Sequence, residues 1–460
     1  MAKPAAWLEP ALDYIQDWLG FQMRQSEQPG CALAIAHQGR IVLDIALGHA
    51  DALRGERLTP KHRFRVASHS KSFTAAAIFK LREQGKLRLD DPAGKYVKGL
   101  HPAIAQATIA QLLSHTAGIV RDGEDAPYWQ GRGEFSSETK LRKDLKRPPV
   151  IDANTRLKYS NHGFGLAGLV IEAITGESYA TFVTREIVKP AGLTQTTPDV
   201  PLPAGAKLAR GHSGKLLLGR RLVFPGDQST HALAAATGFV STASDLVKFF
   251  GQLDPKASDS ILSPASRREM TRTQWFDAYS VVPGGYGLGI MTGAFAGWDW
   301  FGHGGGFQGY LTRTAVVPSR GLAVSLLTNA ADGMPQLWTD GVLHILSEFA
   351  KAGPPTAKAK AKDWTGRWWG VWGTTDLVPM GDKVMLALPG LATPFLKVSE
   401  LTITGKDQAR LSQAGSFGNY GEPAELVRSK DGRVREVRLA SGRLVPEAAL
   451  AKELTARYRR

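Results

Sequence analysis

The stretch FRVASHSKSFTAAAIFKLREQGK, residues 64–86, decides how the rest of the chain is read. Ser68 and Lys71 are three apart, so on a first helical turn their side chains share a face. Phe73, Ala77, Ile78 and Leu81 continue at helical spacing and Gly85 offers a stop, so the pattern predicts a helix after Ser68. A serine there has an ordinary use as a helix cap. It has a second use if the lysine is desolvated. The amine pKa then falls, the amine can take the hydroxyl proton, and the helix N-terminus favours developing negative charge. The pair alone does not choose between these uses. Ser137 and Lys140 repeat it in GEFSSETKLRKDLK (133–146), where a capping serine before a charged helix explains both residues.

Upstream of this stretch, Leu8, Leu12, Ile15 and Leu19 predict a first helix, and CALAIAHQGRIVLDIALG (31–48) predicts a hairpin turning at Gln38 and Gly39. Downstream to about residue 350, helical runs such as GFGLAGLVIEAITGESY alternate with short strands such as YLTRTAVVP and LAVSLLTN. Hairpin-linked strands among long helices predict an α+β architecture, an antiparallel sheet flanked by helices. AKAGPPTAKAKAKDW (350–364) reads as a linker, being poor in large apolar residues. Beyond it, short β-like runs with a turn at Asp431 and Gly432 predict a small all-β domain, with a barrel as one way to close it. The expected division is therefore a domain at 1–350, a linker at 351–362 and a β-domain at 363–460. Trp364, Trp368, Trp369 and Trp372 are expected mainly in the core of that domain rather than as a ligand platform.

Two further elements carry chemistry. LKYSNHGFGLAG (157–168) places Tyr159 and Asn161 at the entrance to an apolar helix. A phenol near a cationic lysine ionises more easily and can act as a base, while an amide can hold substrate or lysine. The ordinary alternative is a buried tyrosine with a capping asparagine. WFGHGGGFQGYLTRTAVVP (300–318) sets His303 before Gly304, Gly305 and Gly306 and then a strand. Glycines let a backbone approach a ligand closely, and the Gly306 N–H is placed to donate to an oxyanion.

Composition narrows the classes. The 460 residues are 43% hydrophobic and 22% charged, an ordinary globular balance. The net charge of +15 is scattered without interleaved aromatic motifs, so no nucleic acid is expected as a partner. No run approaches the ~20 apolar residues that span a bilayer, so no membrane is expected. A lone cysteine, Cys31, excludes an internal disulfide framework. The opening residues show no secretory pattern, which leads to a cytoplasmic expectation, or a periplasmic one if a leader has been trimmed. No HExxH or clustered Cys/His spacing exists, so neither a metal nor a cofactor is expected. GHGGG and AGSFG (414–418) do not make an α/β-hydrolase, because no histidine follows His344.

In their order, SxxK at Ser68, YxN at Tyr159 and HxG at His303 resemble the three active-site motifs of the class C β-lactamase and penicillin-recognising D,D-peptidase family. IAQLLSHTAGI (109–119), TGFVSTASDLVKF (237–249) and YGLGI (286–290) add to the likeness, which covers about residues 10–345. The resemblance implies that family's fold, with a helical subdomain between the first two motifs. It also implies Ser68 as the acylated nucleophile and Lys71 and Tyr159 as the bases, with the acylation base left open between them. Asn161, His303, Gly304 and Gly305 would contact substrate, and the backbone N–H groups of Ser68 and Gly306 would form the oxyanion hole. His115 would be structural, bonding backbone near the site. Family β-lactamases usually carry lysine at the third motif. A histidine there is a poorer fixed anchor for a carboxylate, which points away from antibiotic hydrolysis and towards the family's D-aminopeptidases, certain D,D-carboxypeptidases, small-amide hydrolases and esterases.

The function expected is therefore a serine hydrolase acting through an acyl-enzyme on an amide of a small peptide or amino-acid amide, with a D-residue beside the bond as one option. A carboxylesterase of the same fold and an inactive peptide-binding relative are the alternatives. The expected partner is a small peptide, amide or ester, and a homo-oligomer is left open.

Overall fold

The computed structural model describes residues 5–123, 126–215, 219–278, 284–356, 363–415, 418–440 and 442–458. Contacts divide the chain into two compact units, Gln28–Thr339 and the combination of Met1–Glu27 with Asp340–Arg460.

The first unit is built on a nine-stranded sheet. Its spatial order is Glu56–Arg57, Arg40–Asp51, Gly30–His37, Leu322–Thr328, Tyr310–Val317, Trp298–Phe307, Met291–Phe295, Gly284–Tyr286 and Trp275–Asp277. Each neighbouring pair runs antiparallel. The predicted hairpin forms where expected, with positive φ at both Gln38 (49°) and Gly39 (76°), the backbone handedness that matches the twist of the flanking strands. Gly30–His37 and Leu322–Thr328 lie mid-sheet and are buried along nearly their whole length, which explains their unbroken apolar sequence.

Helices cover this sheet and position the motifs. Ser70–Glu83 follows a short 3₁₀ turn, Ala67–His69, and Phe73, Ala77, Ile78 and Leu81 are fully buried as their spacing predicts. Phe73 stacks between Phe239 (4.2 Å) and Phe249 (3.8 Å). The region between the first two motifs holds the short helices Pro102–Gln106, Ile109–Leu113 and Glu138–Asp144. Ser137 caps the last of these by accepting from the Lys140 N–H, so the second SxxK pair is the structural feature it was expected to be. Helix Asn161–Thr175 is capped by Ser160, whose hydroxyl accepts from the Gly163 N–H at 2.8 Å. Asn161 is therefore not the cap, and its amide is free for other partners.

The second unit contains an eight-stranded antiparallel meander from Gly366–Gly370 to Gly442–Leu444, each strand pairing with the next. Trp369 and Val445 exchange both backbone hydrogen bonds (2.8 and 2.9 Å), which joins the two ends into a nearly closed barrel. Trp364 and Trp368 are in its core and Trp369 is half-buried, but Trp372 is fully exposed, so the core expectation fails for that residue. The hairpin turn carries Gly432 at φ 83°, as predicted. A terminal helix, Glu447–Arg457, was not foreseen; it buries no residue and so lacks an apolar stripe to announce it.

The boundary between units differs from the predicted linker for a physical reason. Helix Leu8–Gln25 belongs with the barrel segment: Trp18 donates its indole N–H to the Leu391 carbonyl (3.1 Å), Gln22 donates to the Pro389 carbonyl (2.6 Å), and Tyr14 packs on Phe395. Helix Pro335–Ala352 extends into the start of the expected linker, and residues 357–362 of that linker lie outside the described residues.

Replacing Phe73 by Ala removes the middle ring of the stack, and cavity creation at such a site costs about 3–5 kcal/mol. Urea unfolding is expected to show that loss, whereas a change under about 1 kcal/mol would mean that the stack is not part of the core.

Candidate active site

Residues from three distant parts of the first unit meet at Ser68. Its hydroxyl caps no helix: the 3₁₀ turn and the helix that follow have no side-chain cap. Instead the Lys71 amine stands 3.1 Å from Ser68 Oγ, and the Tyr159 phenol lies close enough for the same serine to lower its pKa. The sequence reading of one face shared by Ser68 and Lys71 is thus what the helix delivers. Ala67, just before the serine, is held at φ 47°, a left-handed conformation that a residue with a Cβ adopts at some cost.

Lys71 is fully buried. Its Nζ also donates to Asn161 Oδ1 at 2.7 Å and to the Ala236 carbonyl at 2.9 Å, and it lies 4.7 Å from the centre of the Tyr159 ring. Burial pushes the amine well below the ordinary lysine value of 10.5; Asp122 opposes that shift and Arg121 adds to it. Burial pushes the Tyr159 phenol the other way, upward, with Ser68 and Arg121 only partly countering. Burial thus favours the protonated phenol and the uncharged amine. The expectation that a nearby lysine would make Tyr159 easier to ionise is not met, because this amine is itself driven towards neutrality.

Asn161 is oriented from behind. Its Nδ2 donates to Asp122 Oδ1 at 2.6 Å, which fixes which end of the amide faces Lys71. Asp122 Oδ1 also accepts from the Trp129 indole (3.0 Å), and Asp122 Oδ2 from Arg121 Nε (3.1 Å). Neither Asp122 nor Trp129 was marked by the sequence reading. Both sit in the charged segment RDGEDAPYWQGRGE, where no spacing sets them apart. The Ala236 carbonyl was equally invisible, since any residue supplies one.

His303 lies on strand Trp298–Phe307, 1% exposed. Its Nδ1 faces the Gly304 carbonyl at 2.6 Å, an obligate acceptor, so Nδ1 carries the proton. Nε2 then accepts from the Tyr286 hydroxyl at 2.9 Å. Burial, reinforced by His69 and Lys71, pushes this imidazole well below 6.5. Both ring nitrogens are used inside the protein and the ring is neutral, so His303 offers no positive charge to a substrate. Tyr286 opens the YGLGI segment, which the sequence reading noticed without assigning its hydroxyl.

The three glycines after His303 differ. A Cβ at Gly305 would lie 2.2 Å from the Val66 carbonyl oxygen, two residues before Ser68, whereas Gly304 and Gly306 have nothing nearer than 3.5 and 3.4 Å. Gly305 is the point at which the strand meets the backbone leading to the serine. Gly306 is exposed and stands opposite Leu311 in the strand pairing. His115 accepts from the Ser160 N–H at Nδ1 (3.1 Å) and packs at a tilt on the Tyr159 ring, centroids 4.1 Å apart; it holds backbone and packs the phenol, as expected of a structural residue. Among the described residues, no group of three or more His, Cys, Asp or Glu side chains is placed to hold a metal ion.

A protein-family model described as Beta-lactamase matches residues 15–344. Penicillin-binding protein 4 of Amycolatopsis lactamdurans is 28% identical over 345 residues, covering 70% of this chain and 86% of that protein. The octameric penicillin-binding protein homologue from Pyrococcus abyssi aligns in structure with a TM-score of 0.66 at 23% identity, over 94% of this chain and 99% of that one. A D-stereospecific amidohydrolase from Streptomyces sp. aligns with a TM-score of 0.58 at 27% identity, over 70% of this chain and 94% of that one. The first of these two structures shares the fold across nearly the whole chain, barrel included.

The contrast among the glycines is testable by unfolding. Gly305→Ala drives a methyl into the Val66 carbonyl and is expected to cost about 2 kcal/mol or more, while Gly304→Ala costs under about 1 kcal/mol. Equal costs in thermal or chemical melts would show that the strand does not abut the segment before Ser68.

Proposed function

The chain belongs to the β-lactamase family, and from that premise we propose that it is a serine hydrolase that cleaves the amide bond of a small peptide or amino-acid amide through an acyl-enzyme on Ser68. The observation that carries this reading is the hydrogen-bond set of Lys71. Asn161 Oδ1 and the Ala236 carbonyl are acceptors only, so they consume two N–H bonds of the amine. The remaining position points at Ser68 Oγ. In a neutral amine that position is a lone pair, and it is aimed at the one proton that acylation must remove.

The steps follow from this arrangement. Ser68 Oγ attacks the carbonyl carbon as its proton passes to Lys71 Nζ. The Ser68 and Gly306 N–H groups hold the resulting oxyanion. Collapse breaks the C–N bond, and the departing nitrogen takes a proton relayed from Lys71 through the Tyr159 hydroxyl, which stays protonated in the resting site. A water then attacks the ester, giving its proton to the same pair, and Ser68 is released with the acid product. Asn161, locked by Asp122, keeps the amine aligned and presents its remaining surface to the substrate beside Gly304 and Gly305. The D-stereospecific amidohydrolase relationship, at 27% identity, favours a D-residue on the acyl side.

Mass measurement across D- and L-aminoacyl amides and short-chain esters tests the reading. An adduct on Ser68 that disappears in Ser68→Ala, with D-amides turned over best relative to background, is expected. Turnover of esters alone would make the protein a carboxylesterase, and no adduct with any acyl donor or fluorophosphonate would leave a binding protein. Lys71→Ala and Tyr159→Phe should each lower kcat about 10²- to 10⁴-fold.

The pH dependence follows from the direction of the Lys71 shift. The competent amine is the unprotonated one, so kcat/KM for an uncharged substrate should rise with pH and level off well below pH 10.5, the ordinary lysine value. A rate that falls as pH rises through the neutral range would contradict a neutral Lys71 as the base.

A further inference from the structure

We propose that Arg121 and Lys158 form an anion-recognition pair at the mouth of the site, selecting substrates that carry a free carboxylate over their uncharged amides and esters. The proposal rests on Ser68 being the acylated nucleophile and specifies which small peptides that site takes.

The pair is placed by backbone rather than by chance contact. The Arg121 carbonyl accepts from the N–H groups of Asn161 (2.9 Å) and His162 (3.2 Å), which ties it to the first turn of helix Asn161–Thr175. Lys158 immediately precedes Tyr159, and its N–H donates to the His115 carbonyl at 2.7 Å. The guanidinium carbon of Arg121 lies 5.3 Å from the centre of the Tyr159 ring, opposite in kind to the buried Lys71, which approaches the same ring at 4.7 Å. The Tyr159 ring thus has an exposed cation against it, with the Arg121 side chain 63% accessible.

These cations are under-compensated. Arg121 uses only Nε, on Asp122 Oδ2. Among the described residues, its two terminal nitrogens and the Lys158 amine have no hydrogen-bond or ion-pair partner. Among the described residues, Asp122 is the carboxylate acting on the group, and its other oxygen is taken by Asn161 and Trp129. His115 and His303 are both pushed towards neutrality by burial, so they add no charge, and burial first and the Arg121 guanidinium second lower the Lys158 amine. Among the described residues, an exposed guanidinium and a partly buried amine against one engaged carboxylate leave an excess positive charge that a substrate anion would satisfy. A planar guanidinium with two free terminal nitrogens suits a carboxylate in particular.

The chemistry also fills a gap. The third motif has histidine in place of lysine, and that histidine is neutral with both nitrogens engaged inside the protein. A fixed cation for a substrate carboxylate must come from elsewhere, and the Tyr159 side of the site has one.

The test compares dipeptides of D- and L-alanine, each as the free acid and as the carboxamide. The readout is the ratio of kcat/KM for the acid over the carboxamide, measured in wild type, Arg121→Ala, Lys158→Ala and Arg121→Glu. The wild type should prefer the acid. Each alanine variant should lower the ratio roughly tenfold, mainly through KM, and Arg121→Glu should lower it further. Raising ionic strength should erode the preference in the wild type and not in the double alanine variant. Equal losses for acid and carboxamide, or a wild type indifferent to the carboxylate, would overturn the proposal. Fluorophosphonate labelling of Ser68 in every variant separates the two readings: labelled protein without carboxylate preference refutes only this inference, whereas protein that never labels at Ser68 refutes the hydrolase assignment itself.

Discussion

One constraint organises the first unit: a lysine amine has been taken wholly out of water. An isolated ammonium in an apolar interior is strongly disfavoured, so a buried lysine either finds compensating partners or gives up its proton. Here it does both in part. Two fixed acceptors, a side-chain amide and a main-chain carbonyl, satisfy two of its bonds, and the third direction is left to the serine. Everything near Ser68 follows from providing that environment: the 3₁₀ turn that swings the serine onto the lysine's face, the short helix Ala234–Thr237 that presents the Ala236 carbonyl, and the start of the apolar helix that carries Asn161. The burial that sets the amine's proton affinity is also what makes the surrounding helices pack so completely.

The partners of that amine are themselves controlled. Asn161 is an ambiguous residue, since either end of its amide can face a neighbour, and a flipped amide would put a donor against a donor. Asp122 removes the ambiguity by accepting from Nδ2, and Trp129 and Arg121 in turn hold Asp122. Ser160 contributes by taking the capping role, which frees Asn161 from the usual duty of an asparagine at a helix start. The chain thus separates two jobs, starting a helix and orienting a lysine, onto adjacent residues.

This separation also explains what the sequence made legible. Ser68 and Lys71 were readable as neighbours because their spacing is that of a helical turn, and their role with Tyr159 and Asn161 only through the resemblance of the three motifs in order; the sheet was readable because its hairpin needs positive φ at Gln38 and Gly39 and its central strands need unbroken apolar runs. The roles of His303 and Gly305 were readable only as types. Nothing in the sequence says that the imidazole is sealed by Gly304 and Tyr286, or that one glycine of three meets the Val66 carbonyl, because the first depends on a side-chain contact with a residue 17 positions away and the second on a crossing between segments about 240 residues apart. Asp122 and the Ala236 carbonyl lay beyond reach for the same reason. The first helix was legible as a helix but not as part of the barrel unit, since an apolar stripe states that a face is buried and not against what.

The backbone around Ser68 carries a last consequence. Ala67 and His115 both hold positive φ, at 47° and 60°, although each has a Cβ; such residues persist only where their surroundings over-determine them. Ala67 is followed by the serine, and His115 packs against the ring of Tyr159. Relaxing either residue would rotate a group that the Lys71 amine must meet within a few tenths of an ångström. The left-handed turn at Ala67 is locked by the packing of Val66 against Gly305 and by His69, whose ring bonds the Val66 carbonyl at Nδ1 (3.0 Å) and Thr314 at Nε2 (2.9 Å). Strain at the serine is therefore held by the central sheet rather than by the loop itself, which makes the rigidity of the sheet, and not only the identity of the motif residues, a condition for the chemistry.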